Sequence, residues 1–119
     1  MEDLANIKWK STRVGTPPLK GDDLRNFLDQ LGSSWSEINE TKLEKEYRFT
    51  NFNRALEFAN LVGQMSDDLN HHPDLHLAWG KCKVEIWTHR IDGISEMDFV
   101  YAARIEKIYM VNFEELLPK

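Results

Sequence analysis

The apolar and polar positions along the chain follow two periodicities, which together predict an ordered series of helices and strands. Apolar residues at helical spacing predict a short helix that Gly32 ends, a longer helix that ends near Asn70, and a final helix after Ser95. Strict alternation of apolar and polar residues predicts strands elsewhere. The predicted strands are 35–38, 43–49, 75–79 and 82–88. Short connections within each pair favour antiparallel hairpins.

Polar residues predict where the first two helices start. Asp22 or Asp23 can accept hydrogen bonds from the open backbone N–H groups of the first helix. Asn51 or Asn53 can do the same for the second.

The final helix is predicted to start with Ser95 as its cap and Asp98 three positions later, an acidic variant of the capping box. Its apolar surface is broad, which hints that a second subunit covers part of it. The order helix, strand, strand, helix, strand, strand, helix predicts an α+β fold, a four-stranded antiparallel sheet with three helices packed on one face. Residues 1–16 are expected to form a partly ordered N-terminal arm, and 17–119 a single domain.

Composition narrows the class of protein. The 119 residues are enough for one core, with 41% hydrophobic and 29% charged residues. The net charge of −5 and the lack of a basic run argue against nucleic-acid binding. No apolar run approaches the length of a membrane span. The single cysteine, Cys82, excludes a disulfide framework within the chain and fits a cytoplasmic location.

The histidines form the clearest candidate site. His71 and His72 lie where a helix gives way to a strand, and Pro73 stiffens that corner. His89 is expected to end the second strand of the adjacent hairpin, toward the same end. We therefore expect these three imidazoles to converge on one cleft, with Asp98 placed to orient one ring by accepting its N–H.

Imidazoles suit a reaction that both donates and accepts protons near neutral pH, because their usual pKa is about 6.5. Dehydration is such a reaction, since a hydroxyl leaves readily only when protonated and a neighbouring atom must lose a proton. Trp79 and Trp87 offer aromatic surfaces for a flat ligand.

Plainer interpretations remain open at this point. The His-His pair is compatible with an exposed turn, Asp98 with a helix cap alone, and the tryptophans with packing. His72 and His76 have the spacing of metal ligands on a helix, but Pro73 places them off a helix and no carboxylate convincingly completes the set.

The stretch from Asp67 to Asp98 resembles the signature of the pterin-4a-carbinolamine dehydratase family. An acidic residue is followed after three positions by His71-His72-Pro73. Nine residues separate the aromatic Trp79 from His89, and Asp98 lies within Gly-Ile-Ser-x-x-Asp. The resemblance covers roughly residues 17–110.

This resemblance implies an activity and a role for each site residue. The activity is removal of water from a 4a-hydroxytetrahydropterin to give the quinonoid dihydropterin. His71 and His89 are implied to act as acid and base, His72 to hold the pterin and assist, and Asp98 to support the histidines. The residues implied to bind the substrate are Asp67, Pro73, Trp79, Thr88, Arg90 and Ile91. No metal or organic cofactor is implied, and the expected assembly is a homodimer or homotetramer.

Two other functions stay open from the sequence. An acidic chain with a broadly apolar final helix fits a protein-interaction module, since animal members of the family also act as dimerisation partners of a transcription factor. A non-catalytic pterin carrier or sensor is the other alternative.

Overall fold

The computed structural model describes residues 3–32 and 34–113. Positions 1 and 2 of the predicted arm and 114–119 of the predicted domain lie outside the described residues, so those limits stay predictions. Within the described residues, the helices are α1 (Gly21–Leu31), α2 (Phe52–Leu69) and α3 (Glu96–Asn112), and the strands are β1 (Ser36–Ile38), β2 (Lys42–Arg48), β3 (Asp74–Ala78) and β4 (Lys81–Ile86). Short 3-10 turns occur at Leu4–Asn6 and His89–Ile91.

The strands of this part of the chain form one antiparallel sheet in the order β1-β2-β4-β3. The predicted α+β class, with three helices and a four-stranded antiparallel sheet, is confirmed. The register pairs Leu43 with Ile86 and Tyr47 with Cys82, so these side chains share the face that the helices cover. All four are buried, together with Ala55, Phe58, Val62, Phe99 and Ile105 from the helices.

The opposite face of the sheet carries charged side chains, as the alternation in β2 predicts. At its centre, the Glu85 carboxylate accepts hydrogen bonds from Lys42 Nζ at 2.6 Å and pairs with His76 Nε2 at 2.8 Å. The hydrogen bond from Lys42, followed by that from His76, lowers the pKa of Glu85 to about 2. Glu85 therefore stays ionised far below the ordinary pKa of a glutamate.

The predicted cap of α1 is wrong, because a distant residue takes the capping role. Asp22 and Asp23 lie inside the first turn, and the cap position, Lys20, makes no side-chain capping bond. Instead, Glu40 Oε2 accepts a hydrogen bond from the N–H of Gly21 at 2.8 Å. At α2, by contrast, Asn51 is the cap and accepts from the N–H of Arg54.

The strand predicted at 82–88 ends earlier, at Ile86. Ile86 pairs with Leu43, which is only the second residue of β2, so the residues that follow have almost no neighbouring strand to pair with. Thr88 pairs with Gly93 across a tight loop instead. His89 therefore lies in a 3-10 turn rather than at a strand end.

The N-terminal residues cover part of the apolar surface of α3 within a single chain. Leu4 is buried in the core, and Trp9 contacts Tyr101 with ring centroids 6.3 Å apart. Arg104 Nη2 donates to the carbonyl of Ile7 at 2.8 Å. Residues 3–9 of the same chain thus cover part of this surface of α3, and coverage of another part by a second subunit stays a prediction.

None of the helices in the described ranges combines the length and the apolar character needed to cross a bilayer.

Replacing Glu85 should destabilise the fold in a pH-dependent way. The folded-state pKa is lowered, so the stabilisation is present above the ordinary pKa of 4.5 and is lost as pH falls toward 2. Glu85→Gln should lower the free energy of unfolding by about 1 kcal/mol near neutral pH. The difference should shrink as pH falls below 4.5. Urea unfolding over a pH series measures both effects.

The matched control is Glu46→Gln on the same face of the sheet, where the carboxylate is 3.1 Å from Arg48 and more exposed. It should change stability less than Glu85→Gln does. Equal effects of the two substitutions at every pH would contradict the prediction.

Candidate active site

A cavity of about 360 Å³ opens beside the corner after α2. Its lining comes from three segments: residues 9, 11 and 12 of the N-terminal arm, 69–72 at the corner, and 87–90 after β4. This size is within the range of small-molecule sites. His71, His72 and His89 all line it, so the structure brings the three predicted imidazoles to one cavity.

The ring of His71 is held on several sides. Its Nε2 atom lies 2.7 Å from Asp98 Oδ1, and its ring is 5.1 Å from Tyr101 in an edge-on arrangement and 5.4 Å from Trp9. Its backbone N–H donates to the carbonyl of Ser66, which ties the corner to the end of α2. The side chain is 14% exposed, so little of it remains open to the cavity.

Asp98 is fully buried and satisfies its carboxylate with donors from three segments. Oδ1 faces His71, while Oδ2 accepts hydrogen bonds from Thr88 Oγ1 and from the N–H of Ser95, each at 2.8 Å. The predicted capping box at Ser95 is present. Asp98 therefore caps α3 and fixes the His71 ring with the same side chain.

The hydroxyl of Tyr101 lies behind His71. It forms a short hydrogen bond with Ser66 Oγ, which in turn donates to the carbonyl of Val62 at 2.6 Å. Because the Ser66 hydroxyl donates its one proton to the carbonyl of Val62, the Tyr101 hydroxyl is the donor in the hydrogen bond between Tyr101 and Ser66. Burial raises the pKa of Tyr101, and the charge of Asp98 raises it further, so the phenol stays neutral.

His72 is more open than His71. Its Nε2 atom lies 2.9 Å from Asp67 Oδ1, and its side chain is 56% exposed. Asn70 begins the turn in the left-handed region, with φ of 53°, which directs the chain from α2 into β3. Asp67, predicted to bind substrate, thus contacts a histidine of the site and does not itself line the cavity.

The loop after β4 presents His89. Thr88 and Gly93 form a bridge across it, and a side chain at Gly93 would meet Pro18 Cβ at 2.7 Å, so only glycine fits. The His89 ring stacks on Trp87, with centroids 4.4 Å apart and planes 12° apart. This stacking orients an otherwise exposed imidazole.

Of the described residues predicted to bind substrate, Thr88 and Arg90 line the cavity, and Pro73, Trp79 and Ile91 do not. Trp79 follows β3 at the turn into β4, with 73% of its surface exposed. That turn is the end of the hairpin opposite to His89. The predicted strand 75–79 therefore ends one residue early, at Ala78, which leaves Trp79 in the turn, and alternation did not show which end of the hairpin faces the site.

The sequence analysis missed Trp9, Ser11 and Thr12, which line the cavity from the arm. The arm lacks periodicity, so no pattern placed it against the histidines. The presence of a large aromatic residue in a polar segment was the available signal. Tyr101 was also missed, and its helical distance of three residues from Asp98 was the signal there.

The metal interpretation finds no support in the positions of His72 and His76. His72 pairs with Asp67 at the corner, whereas His76 pairs with Glu85 on the charged face of the sheet. The two imidazoles therefore do not converge.

Chemically, the cavity offers imidazoles in different settings. His71 is rigid and backed by a carboxylate, while His72 and His89 are more exposed. A carboxylate behind an imidazole fixes its tautomer and stabilises its protonated form. The arrangement suits proton transfer to and from a small flat ligand.

Comparison with known proteins gives a consistent picture. The family model described as pterin 4 alpha carbinolamine dehydratase matches residues 17–108. A relative from Alkaliphilus metalliredigens is 45% identical over 107 residues, covering 90% of this chain and 96% of its own length. A relative from Rubrobacter xylanophilus is 40% identical over 108 residues, covering 91% and 100%. Both are provisionally named pterin-4-alpha-carbinolamine dehydratases.

Solved structures share the fold. A protein described as a transcriptional coactivator/pterin dehydratase from Brucella melitensis superposes with a TM-score of 0.71 at 23% identity, covering 76% of this chain and 97% of that one. A pterin dehydratase-like protein described as a RuBisCO assembly factor in the alpha-carboxysome gives 0.57 at 18% identity, with coverage of 66% and 92%. By its family match and its close relatives, the chain belongs to the pterin 4 alpha carbinolamine dehydratase family.

Proposed function

We propose that the protein dehydrates a 4a-hydroxytetrahydropterin to the quinonoid dihydropterin by histidine acid/base catalysis, and so serves the recycling of a tetrahydrobiopterin-type cofactor. The observation that carries the proposal is the convergence of His71, His72 and His89 on one cavity, with His71 held by the buried Asp98. Membership of the family supports the class of substrate.

The reaction needs two proton transfers. The bond between C4a and its hydroxyl oxygen breaks, and the oxygen leaves as water after receiving a proton. The lone pair of the adjacent ring nitrogen forms the new C=N double bond, and that nitrogen loses its proton. One acid and one base, both working near neutral pH, complete the balance without a further reactant.

We assign the base to His71. An ionised carboxylate has no proton to give, so Asp98 Oδ1 accepts from His71 Nε2 and leaves Nδ1 as the atom free to accept a proton. Asp98 also stabilises the imidazolium that forms, as the carboxylate of a catalytic triad does.

We assign the acid to His89. Its ring is exposed and stacks on Trp87, so it can regain a proton from solvent between turnovers while its orientation is kept. His72, paired with Asp67, then holds the pterin and assists.

The proposal extends to the assembly, which we take to be a homodimer or homotetramer. Phe52 and Leu56, exposed on α2, support a contact between copies because they lie one helical turn apart. Sedimentation equilibrium should give a mass of two or four chains, and a monomer at micromolar concentration would contradict this part of the proposal. The cytoplasmic location stays a prediction from the sequence.

Removing the histidines should abolish most of the catalysis. We expect His71→Ala and His89→Ala each to lower the catalysed rate by about 10²–10⁴-fold, because each removes one positioned proton-transfer group. His72→Ala should raise KM more than it lowers kcat. Stopped-flow decay of a freshly generated carbinolamine measures these rates, and only acceleration over buffer counts because the uncatalysed reaction also proceeds.

His76→Ala is the matched control. The His76 imidazole also pairs with a carboxylate, that of Glu85, but it lies on the charged face of the sheet and does not line the cavity. The rate of this variant should equal that of the unaltered protein. Undiminished rates in both His71→Ala and His89→Ala would overturn the assignment. Pterin binding without acceleration would indicate a carrier or sensor. A stable protein partner whose binding is insensitive to pterin, again without acceleration, would indicate an interaction module.

The contact with Asp98 also predicts the tautomer of His71. We expect the neutral ring to carry its proton on Nε2, since the carboxylate accepts there. Nitrogen-15 NMR of the ring should show this tautomer in the unaltered protein and a mixture in Asp98→Asn, whose side chain can also donate. His76→Ala should leave the His71 signals unchanged, whereas an Nδ1-protonated His71 would contradict the geometry.

A further inference from the structure

The N-terminal arm contributes an aromatic wall to the cavity. Trp9 lies beside His71 with ring centroids 5.4 Å apart and the planes tilted by 57°. It also contacts Tyr101, the other ring that packs on His71. Trp9 is only partly buried, and it lines the cavity.

The arm is fastened on both sides of Trp9. On one side, Arg104 Nη2 donates to the carbonyl of Ile7 at 2.8 Å. On the other, Arg90 Nη1 donates to the carbonyl of Thr12 at 2.9 Å. These bonds fix the backbone of the arm on both sides of Trp9, and the contacts of the indole with His71 and Tyr101 place its ring at the cavity.

Arg90 connects the arm to the cavity. The resemblance implies that it binds substrate, it lines the cavity, and its guanidinium also donates to the carbonyl of Thr12. Thr12 Oγ1 further donates to Ser95 Oγ at 3.2 Å, beside the cap of α3. The arm is therefore joined to the same loop and helix start that carry Thr88 and Asp98.

Trp9 differs from Trp35 in how much of its indole is buried by packing. Trp35 is 6% exposed, and its Nε1 donates to Glu106 at 3.1 Å, so its ring is buried in the core and its N–H group is hydrogen-bonded. Trp9 keeps open aromatic surface at the cavity, next to the histidine assigned as the base. An aromatic face that lines a cavity can pack against a flat ligand ring.

We propose that Trp9 is a substrate-contacting residue, whose indole packs against the bound pterin ring and keeps the His71 ring in position for proton transfer. The inference rests on the proposed function for its substrate. It places a determinant of substrate binding outside residues 17–108, the part of the chain that the family model matches. The ligand that this aromatic wall fits is a flat heterocycle.

The test compares Trp9→Ala and Trp9→Phe with Val14→Ala, an arm residue that is 81% exposed. Trp9→Ala should raise the Kd for a stable dihydropterin, measured by calorimetry, and the KM for the carbinolamine by about tenfold each. Trp9→Phe should restore most of the loss because it retains a flat ring. Val14→Ala should match the unaltered protein.

A readout without ligand tests the geometry. The ring protons of His71 feel the ring current of the indole, so Trp9→Ala should shift their NMR signals in the free protein, while Val14→Ala should not. If Trp9→Ala does not fold, Trp9→Leu keeps packing volume without a π-face and should raise Kd and KM in the same way.

Failure of this inference is distinguishable from failure of the proposed function. If the unaltered protein accelerates dehydration and folded Trp9→Ala or Trp9→Leu keeps the same Kd and KM, the role of Trp9 is overturned and the function stands. If the unaltered protein gives no acceleration, the function fails, and the dihydropterin Kd of the variants still decides whether Trp9 contacts a pterin.

Discussion

The carboxylate of Asp98 lies where three segments of the chain meet: the corner after α2, the loop after β4 and the start of α3. Removing a carboxylate from water costs several kcal/mol unless hydrogen bonds replace the lost solvation. Here His71, Thr88 and Ser95 supply those bonds, one from each segment. Satisfying one buried charge therefore fixes the distances between all three segments, and these distances are what assemble the cavity.

This constraint explains why the histidines differ in freedom. His71 contacts the carboxylate directly and is enclosed by aromatic rings, so its orientation is set by the core. His72 and His89 are more exposed. His72 is held by its contact with Asp67, and His89 by stacking on Trp87. A rigid imidazole beside more exposed ones suits the proposed reaction, in which one proton must be taken at a fixed point while another is replenished from solvent.

The sequence predicted those features that depend on neighbours along the chain. Within the described residues, periodicity identified α1 to α3 and β1 to β4, and the spacing of Ser95 and Asp98 alone predicted the capping box. Errors arose where distant residues decide. Glu40 replaces the expected cap of α1 across 19 positions, and the end of β4 depends on where β2 begins.

The same distinction between neighbours along the chain and distant residues applies to the candidate site. The three histidines and Asp98 were predicted to lie together because they flank one predicted hairpin and the helix that follows it. Trp79 was placed near the ligand because alternation does not reveal which end of a hairpin faces a cleft. Trp9 was missed because an arm without periodicity cannot be placed until the surface that it covers is known. Here that surface is the side of α3 that carries Tyr101 and Arg104.

The fold alone does not decide between functions, since structures described as a transcriptional coactivator/pterin dehydratase and as an assembly factor share it at low identity. The side chains of the site decide, and the burial of Asp98 is informative. A carboxylate that only caps a helix can face solvent at little cost in free energy. Asp98 is instead fully buried, and its second oxygen, Oδ1, pairs with His71. Positioning an imidazole accounts for that arrangement, and capping alone does not.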